Sequence, residues 1–314
     1  MPTGRKNLRI YSSGTNKILN TTITVSQVAS RLRNHGVCSP KVNAEAILSH
    51  LLGSKAIDLY TNTIMLSPAD FKLLEQMISR RINGEPLQYI TGRTYFYGND
   101  IIVKEGIFIP RPETEILVDT VIEYVKSSQY PIPNSALPAD MPQPLILDLC
   151  TGSGNIAISL TKSLTHCKIV SSDISEIALE MAQENAKRNE VSDRIVFIKS
   201  DFLSLSCEYK KAFDMIVCNP PYIRYCDMKN LSHEVKYEPV KALCGGSDGM
   251  DFYRRIVEDS PEFLKANGLI ALEIPDNSRL EVENIINDSG SFSNIKFFND
   301  LNNTERVAIA RLKN

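Results

Sequence analysis

An α/β fold is predicted, with a parallel sheet wound by helices on both faces and a small helical bundle ahead of it, and three features predict it. Short apolar runs end in Asp148, Asp173, Asp201 and Asn219 and alternate with helical patterns, Gly154 to Leu164 and Glu176 to Asn189. The first run passes through a glycine turn, Cys150-Thr151-Gly152-Ser153-Gly154, straight into a helix. Before Gly84 the apolar spacing is helical instead.

In chain order, Ser39-Pro40 opens a helix with Ala44, Ile47, Leu48 and Leu51 on one face and Gly53 at its end. Ser67-Pro68 opens another, with Phe71, Leu74 and Ile78 inward and Arg80-Arg81 near its C-terminus. Gly84 to Glu105, containing Tyr95-Phe96-Tyr97-Gly98, is expected to be a linker hairpin that walls a cofactor pocket. Five prolines between Tyr130 and Pro144 punctuate an exposed loop ahead of the first sheet strand. The strands are Leu145 to Leu149, Lys168 to Ser172, Arg194 to Lys199 and Phe213 to Cys218. The boundaries that follow are a leader over 1–22, a helical domain over 23–83, a linker hairpin over 84–105 and a sheet domain over 106–314.

Ligands of open α/β sheets collect at the carboxyl ends of the strands. Gly152 and Gly154 let backbone approach a nucleotide-like cofactor at a helix N-terminus, with Thr151 and Ser153 lining the turn. Asp173 stands where a carboxylate accepts from ribose hydroxyls, and Asp201 with Phe202 lies along the same edge, where adenine can pack. Gly152, Gly154 and Ala157 also satisfy a G-x-G-x-x-A dinucleotide pattern, so nicotinamide and S-adenosylmethionine both survive this far.

Asn219-Pro220-Pro221-Tyr222 separates them. Two prolines fix φ and remove two donors, so the run cannot continue as a central strand and opens into a rigid turn with free carbonyls. Asn219 offers a side-chain oxygen, Pro220 a carbonyl and Tyr222 a flat apolar face, a set suited to holding a planar NH2 group. An amide lone pair is delocalised, and acceptors on its N–H bonds favour the positive charge that develops as the nitrogen attacks. A dehydrogenase has no use for such a clamp.

The clamp and the Asp-x-x-Thr-Gly-Ser-Gly turn resemble those of amino-group methyltransferases dependent on S-adenosylmethionine. Within them, Gly84-Glu85-Pro86-Leu87-Gln88-Tyr89-Ile90-Thr91-Gly92, Phe96-Tyr97-Gly98 and Ile109-Pro110-Arg111-Pro112-Glu113-Thr114-Glu115 are similar to the HemK-type glutamine methyltransferases that modify peptide-chain release factors. The likeness runs from about Val25 to Leu312 and takes in Glu238-Pro239, Ala242-Leu243, Asn299-Asp300-Leu301 and Glu305-Arg306-Val307. Cys150 stands where the family commonly has Gly, and Glu273-Ile274-Pro275 where Glu-Ile-Gly is usual.

The resemblance implies a Rossmann-like class I methyltransferase domain with a mostly parallel seven-stranded sheet, and an N-terminal helical bundle that helps recognise the protein substrate. It implies S-adenosylmethionine held by Thr151, Gly152, Ser153, Gly154, Asp173, Asp201, Phe202 and Asn219. Asn219, Pro220 and Tyr222 then perform the transfer and, with Pro221, hold the glutamine of a Gly-Gly-Gln loop in a release factor.

A nucleic-acid adenine or cytosine amino-methyltransferase faces the same chemistry. It calls for a basic face, whereas this chain has 35 basic against 37 acidic residues, with only brief pairs such as Lys210-Lys211 and Arg254-Arg255, so no nucleic acid is expected to bind directly. A cofactor-binding scaffold without catalysis would show a degraded clamp or glycine turn, and both are intact. No stretch has the apolar length of a membrane span. Seven cysteines without a C-x-x-C pair and four histidines without ligand spacing give no metal site, and the cysteines read as core thiols in a reducing compartment. No Asp or Glu precedes Glu45, while Arg5, Lys6, Arg9 and Lys17 accompany Ser12, Ser13, Thr15, Thr21 and Thr22, which resembles a mitochondrial transit peptide; the alternative is a basic tail on a cytoplasmic protein.

Overall fold

A computed structural model describes residues 21–126 and 143–314. The leader up to residue 20 and most of the proline-punctuated loop lie outside the described residues. The chain divides into two compact units, one running to Gly92 and including His233–Tyr237, the other made of Arg93–Ser232 and Glu238–Asn314.

The first unit is helical with one short two-stranded sheet. Strand β1 (Thr21–Ile23) pairs antiparallel with β2 (Ile64–Leu66), a pairing of three residues too brief to show a period in the sequence. Helix α1 (Val25–Asn34) starts at a capping box, in which Thr24 accepts from the Gln27 amide and the Gln27 side chain accepts from the Thr24 amide. Helix α2 (Pro40–Leu52) ends at Gly53 in the left-handed conformation. After α3 (Asp58–Thr61), α4 (Pro68–Ile82) is capped by the Ser67 hydroxyl, which accepts from the Asp70 amide. Val28, Leu32, Ile47, Leu48, Leu74 and Ile78 close one apolar core.

The expected linker begins otherwise. Leu87–Thr91 is a helix, α5, whose Ile90 is buried in that core, because its apolar side chains have a face to join. The hairpin is confined to β3 (Arg93–Phe96) and β4 (Asn99–Ile102), joined by Tyr97 and Gly98, both at positive φ as a two-residue hairpin turn requires. Glu115 accepts from the Tyr97 amide at 2.6 Å, which fixes the hairpin to α6 (Glu115–Lys126).

The sheet is built from β5 (Leu145–Leu149), β6 (Lys168–Asp173), β7 (Ile195–Lys199), β8 (Phe213–Cys218), β9 (Leu264–Glu273), β10 (Phe292–Asn299) and β11 (Glu305–Leu312). Its order is β10-β11-β9-β8-β5-β6-β7, with the pairs among β5 to β9 parallel and β11 antiparallel to both neighbours. This is the expected mostly parallel seven-stranded sheet. Helices α7 (Asn155–Ser163), α8 (Glu176–Arg188), α9 (Val240–Leu243), α10 (Asp251–Phe263) and α11 (Arg279–Asp288) complete the unit. Leu147, Val170, Ile216 and Ile270, drawn from four strands, are buried in one core with Tyr253 and Ile286 from the helices.

Register fixes the functional edge. Leu149 lies opposite Ser172 on one side and Cys218 on the other, so the turn after β5, Asp173 and the turn after β8 leave the sheet at one level. From β5 the chain winds outward through β6 and β7, then returns to place β8 on the opposite side of β5. The crevice at that reversal is where open α/β sheets bind ligands. No helix among the described residues is long and apolar enough to cross a membrane.

The cysteines depart from expectation. Cys167 and Cys218 are buried, but Cys38, Cys207 and Cys226 are exposed, because they occupy turns at helix starts and not strands.

Candidate active site

The glycine turn rests on carboxylates. Asp148, buried near the end of β5, accepts the Thr151 hydroxyl at 2.5 Å, while its other oxygen has no partner among the described residues. Burial pushes its carboxyl up to about 7, and the Asp173 charge nearby adds to the rise. Cys150, Gly152 and Gly154 all have positive φ, reversing the chain between strand and helix. At Cys150, which has a Cβ, this conformation costs roughly 1 kcal/mol. Asp173 accepts from the Gly152 amide on one oxygen and from the Ser175 amide on the other, each at 2.9 Å. Burial raises its pKa, and the amides of Ser175, Gly152 and Ile174 counter that rise.

The two glycines differ in what surrounds them. A Cβ at Gly154 would lie 3.0 Å from the Ala182 side chain, whereas at Gly152 nothing stands within 4 Å. Gly154 is therefore a packing glycine and Gly152 faces open space, the side on which a ligand can approach the backbone. Asn185, buried on α8, ties the turn to the hairpin: its NH2 donates to the Ser153 and Ile102 carbonyls, and its oxygen accepts from the Ile102 amide.

The proline turn follows β8. Asn219 donates its NH2 to the Thr114 hydroxyl oxygen at 3.1 Å, so the oxygen is the end of the amide left over. Among the described residues neither that oxygen nor the Pro220 carbonyl accepts a hydrogen bond. Pro220 and Pro221 are buried, and Tyr222 is partly buried against the sheet core, with burial pushing its hydroxyl up to about 12.

The far side of the turn is backed by a glycine loop that sequence reasoning passed over. Ile223 pairs with the segment after α9, its amide donating to the Leu243 carbonyl and its carbonyl accepting from the Gly245 amide, each at 2.8 Å. A Cβ at Gly245 would lie 2.7 Å from the Pro221 carbonyl oxygen, and one at Gly249 2.4 Å from that of Tyr222. Backbone thus packs on backbone, and the run Gly245-Gly246-Ser247-Asp248-Gly249 was the available signal. Also missed were Thr114 and the buried Glu238, which accepts from the Ile109 amide at 3.1 Å and pairs with Arg111, fixing the segment that carries Thr114.

Three residues of the expected cofactor set have their side chains engaged inside the protein. The Ser153 hydroxyl is buried and donates to Asn155 Oδ1, and that of Thr151 is taken by Asp148, so both serve the turn from within. Phe202, at φ 58, turns its ring into the core, where Phe252 and the Arg255 guanidinium cover it. Asp201 stays 66% exposed and 3.6 Å from Arg255. The apolar surface at this edge comes instead from Ile174, directly after Asp173 and 47% exposed.

The chain is similar to known proteins over most of its length. Residues 24–92 match the PrmC N-terminal domain and residues 144–296 a methyltransferase domain. The release factor glutamine methyltransferase of Clostridium botulinum is 36% identical over 282 residues, covering 89% of this chain and 95% of its own. That of Thermodesulfovibrio yellowstonii is 39% identical over 267 residues, 85% and 90% of the two chains.

The chain belongs to the release factor glutamine methyltransferase family. Among solved structures, the hMettl16 catalytic domain in complex with MAT2A 3′UTR hairpin 6 shares the fold, with a TM-score of 0.52 at 14% identity over 79% of this chain and 84% of that one. A release factor glutamine methyltransferase is a class I enzyme that uses S-adenosylmethionine, and the edge described here fits that cofactor. Gly152 leaves room for it, Ile174 offers apolar surface, and the Asp173 carboxylate, which holds the Gly152 and Ser175 amides, brings an anionic group to the edge that takes a ligand with a cationic sulfur.

Proposed function

We propose that this enzyme methylates the side-chain amide nitrogen of the glutamine in the Gly-Gly-Gln motif of a peptide-chain release factor, in support of translation termination. One observation carries the reading: a proline-fixed turn, set at the sheet's reversal beside the glycine turn, keeps two oxygens without partners among the described residues, and a flat NH2 group needs two acceptors. The curated relatives, named for release factor glutamine methylation, support it.

When bound, S-adenosylmethionine supplies a methyl group already activated on a positively charged sulfur. The chain's own task is to hold and align the acceptor. Asn219 Oδ1 and the Pro220 carbonyl accept the two N–H bonds of the glutamine amide, which favours the charge that forms on nitrogen as it attacks, and one of those two hydrogens then leaves the methylated nitrogen as a proton to solvent. Tyr222 packs on the amide plane, and Pro221 keeps the turn rigid. Gly152 and Gly154 shape the cofactor's resting place, and Asp173, one carboxylate with four lone-pair directions, keeps capacity for ribose hydroxyls beside the backbone amides it already accepts.

The acid-free, hydroxyl-rich leader supports a mitochondrial address, which makes the organelle's release factor the substrate. Residues 1 to 30 fused to a fluorescent reporter test that address, and diffuse cytoplasmic signal overturns it. For the chemistry, enzyme, S-adenosylmethionine and release factor are incubated with oligonucleotides as competing acceptors, and the Gly-Gly-Gln peptide is mapped by mass spectrometry. One methyl on the glutamine is expected, whereas methyl on the oligonucleotide alone overturns the reading.

A further inference from the structure

Beyond Tyr222 the proline turn continues into a segment whose backbone is fixed on the glycine loop. Ile223 is held there through both its amide and its carbonyl, and the Tyr225 amide donates to the Gly246 carbonyl at 2.7 Å. Side chains are excluded between the two segments: a Cβ at Gly245 would lie 2.7 Å from the Tyr222 Cα, and one at Gly249 3.4 Å from Arg224 Cγ. The glycine loop is itself braced, because Asp248 accepts from the Met250 amide at 3.0 Å and pairs with Arg254 on α10. Next to Tyr225, the Arg224 guanidinium is taken up by Asp227 at 2.7 Å. On this platform Tyr225 stands 75% exposed, more than any other tyrosine or phenylalanine among the described residues.

We infer that Tyr225 is a specificity-determining residue, its ring laid against the acceptor protein's main chain beside the methylated glutamine; this rests on the reading of the proline turn as an amide clamp. Reach supports it. The amide nitrogen of a glutamine lies four bonds from its Cα, at most about 5 Å away, so an acceptor held in the clamp brings its main chain within about that distance of the turn. Tyr225 follows Tyr222 by three residues and lies within roughly 10 Å of it, with a side chain about 6 Å long. The ring is therefore within reach of where that main chain passes. Rigidity gives the contact its worth: with the backbone already fixed, only two side-chain torsions remain to be ordered, and the ring offers a large flat area at that low entropic cost. Arg224 and Asp227 cancel each other beside it, so the platform selects by shape and not by charge. A ring pressed on main chain leaves no room for a bulky side chain between them, which favours small residues next to the glutamine, such as the glycines of a Gly-Gly-Gln motif.

The test is steady-state kinetics with S-adenosylmethionine and two acceptors, a release factor with its Gly-Gly-Gln motif intact and one in which the glycine before the glutamine is changed to valine. Wild type is compared with Tyr225→Ala, Tyr225→Phe and Asn219→Ala. On the intact acceptor, Tyr225→Ala is expected to raise KM for the release factor about tenfold, with kcat and the cofactor affinity measured by calorimetry within about threefold of wild type. Tyr225→Phe keeps the flat face and is expected to hold KM within about threefold. The altered acceptor is expected to cost wild type more than about tenfold in kcat/KM, and Tyr225→Ala at least about threefold less than that, because the ring that excludes the added side chain is gone. Wild-type KM in Tyr225→Ala, an equal loss in Tyr225→Phe, a loss of cofactor affinity, or the same penalty for the altered acceptor in both enzymes overturns the proposal. Asn219→Ala separates the two levels: wild-type turnover there sinks the clamp and this contact with it, whereas an inactive Asn219→Ala beside an unaltered Tyr225→Ala sinks only the contact.

Discussion

The two turns that meet at the sheet's reversal are made by opposite means. After β5 the chain bends through left-handed residues, and its amides at Thr151, Gly152 and Gly154 are taken by the Ser172 carbonyl, the Asp173 carboxylate and the Thr151 carbonyl. After β8 it bends through prolines, which bring no amide at all, and what remains is acceptors. A spent, open turn beside carboxylates is suited to cradle a cationic cofactor, and an unspent, rigid one to grip a donor. Glycine supplies space and proline supplies unpaired oxygen.

The largest expected effect breaks the second turn. Asn219→Ala is predicted to reduce turnover by on the order of a hundredfold or more while cofactor affinity, measured by calorimetry, hardly changes. A large loss of cofactor binding would show that the side chain holds cofactor instead. Next, the two glycines of the first turn are predicted to fail differently. Gly152→Ala meets open space, so its folding cost is about 1 kcal/mol for the backbone conformation alone, yet it fills the ligand's approach and weakens cofactor binding about tenfold or more. Gly154→Ala meets Ala182 and loses on the order of 2 kcal/mol or more of stability in denaturant, with cofactor affinity of the surviving fold less affected. Equal behaviour of the two variants in both assays would dissolve the distinction.

Buried charge gives a subtler test. The Glu273 carboxyl is raised to about 7, so the folded protein retains a proton that the unfolded chain gives up. That contribution to stability is present below the ordinary carboxylate range and is lost as pH rises through about 7. The nearby Arg306, raised against its burial by Asp300 and Asp276, stays charged across this window, and the Tyr222 and Tyr253 hydroxyls, both raised by burial, stay neutral. Glu273→Gln carries no such proton, and Asp148 contributes equally to both proteins. Unfolding at pH 5 and pH 8 is expected to show the variant gaining on wild type by on the order of 1–3 kcal/mol. A gap that stays constant, or that narrows as pH rises, would contradict the buried-carboxyl account. The smallest effect belongs to Ser153→Ala, expected to leave cofactor affinity within about twofold because its hydroxyl already serves Asn155.

Much of this was legible in the amino-acid order because it is written locally. Strands ending in Leu149, Asp173 and Cys218, the glycine turn, the paired prolines and the caps at Ser67 and Gly53 each declare themselves within a few residues. What was not legible depends on distance or on backbone choice. Thr114 lies 105 residues before Asn219, and Arg111 lies 127 before Glu238, and no period or spacing links such positions. Phe202 looked like a stacking surface because nothing in a phenylalanine announces a positive φ that turns its ring inward. Nothing in the helical pattern around Asn185 marks it as the residue on which the Ile102 and Ser153 carbonyls converge.

The passage of His233–Tyr237 into the helical unit bears on how the chain is made. Arg81, 4% exposed, bonds Asn43 and the Glu85 carbonyl but finds its carboxylate in Glu234, while Tyr237 reaches the Asn83 carbonyl and His233 lies against Gly84. During synthesis from the N-terminus, the guanidinium must therefore wait about 150 residues for its counter-charge. The segment emitted first is among the last to be finished.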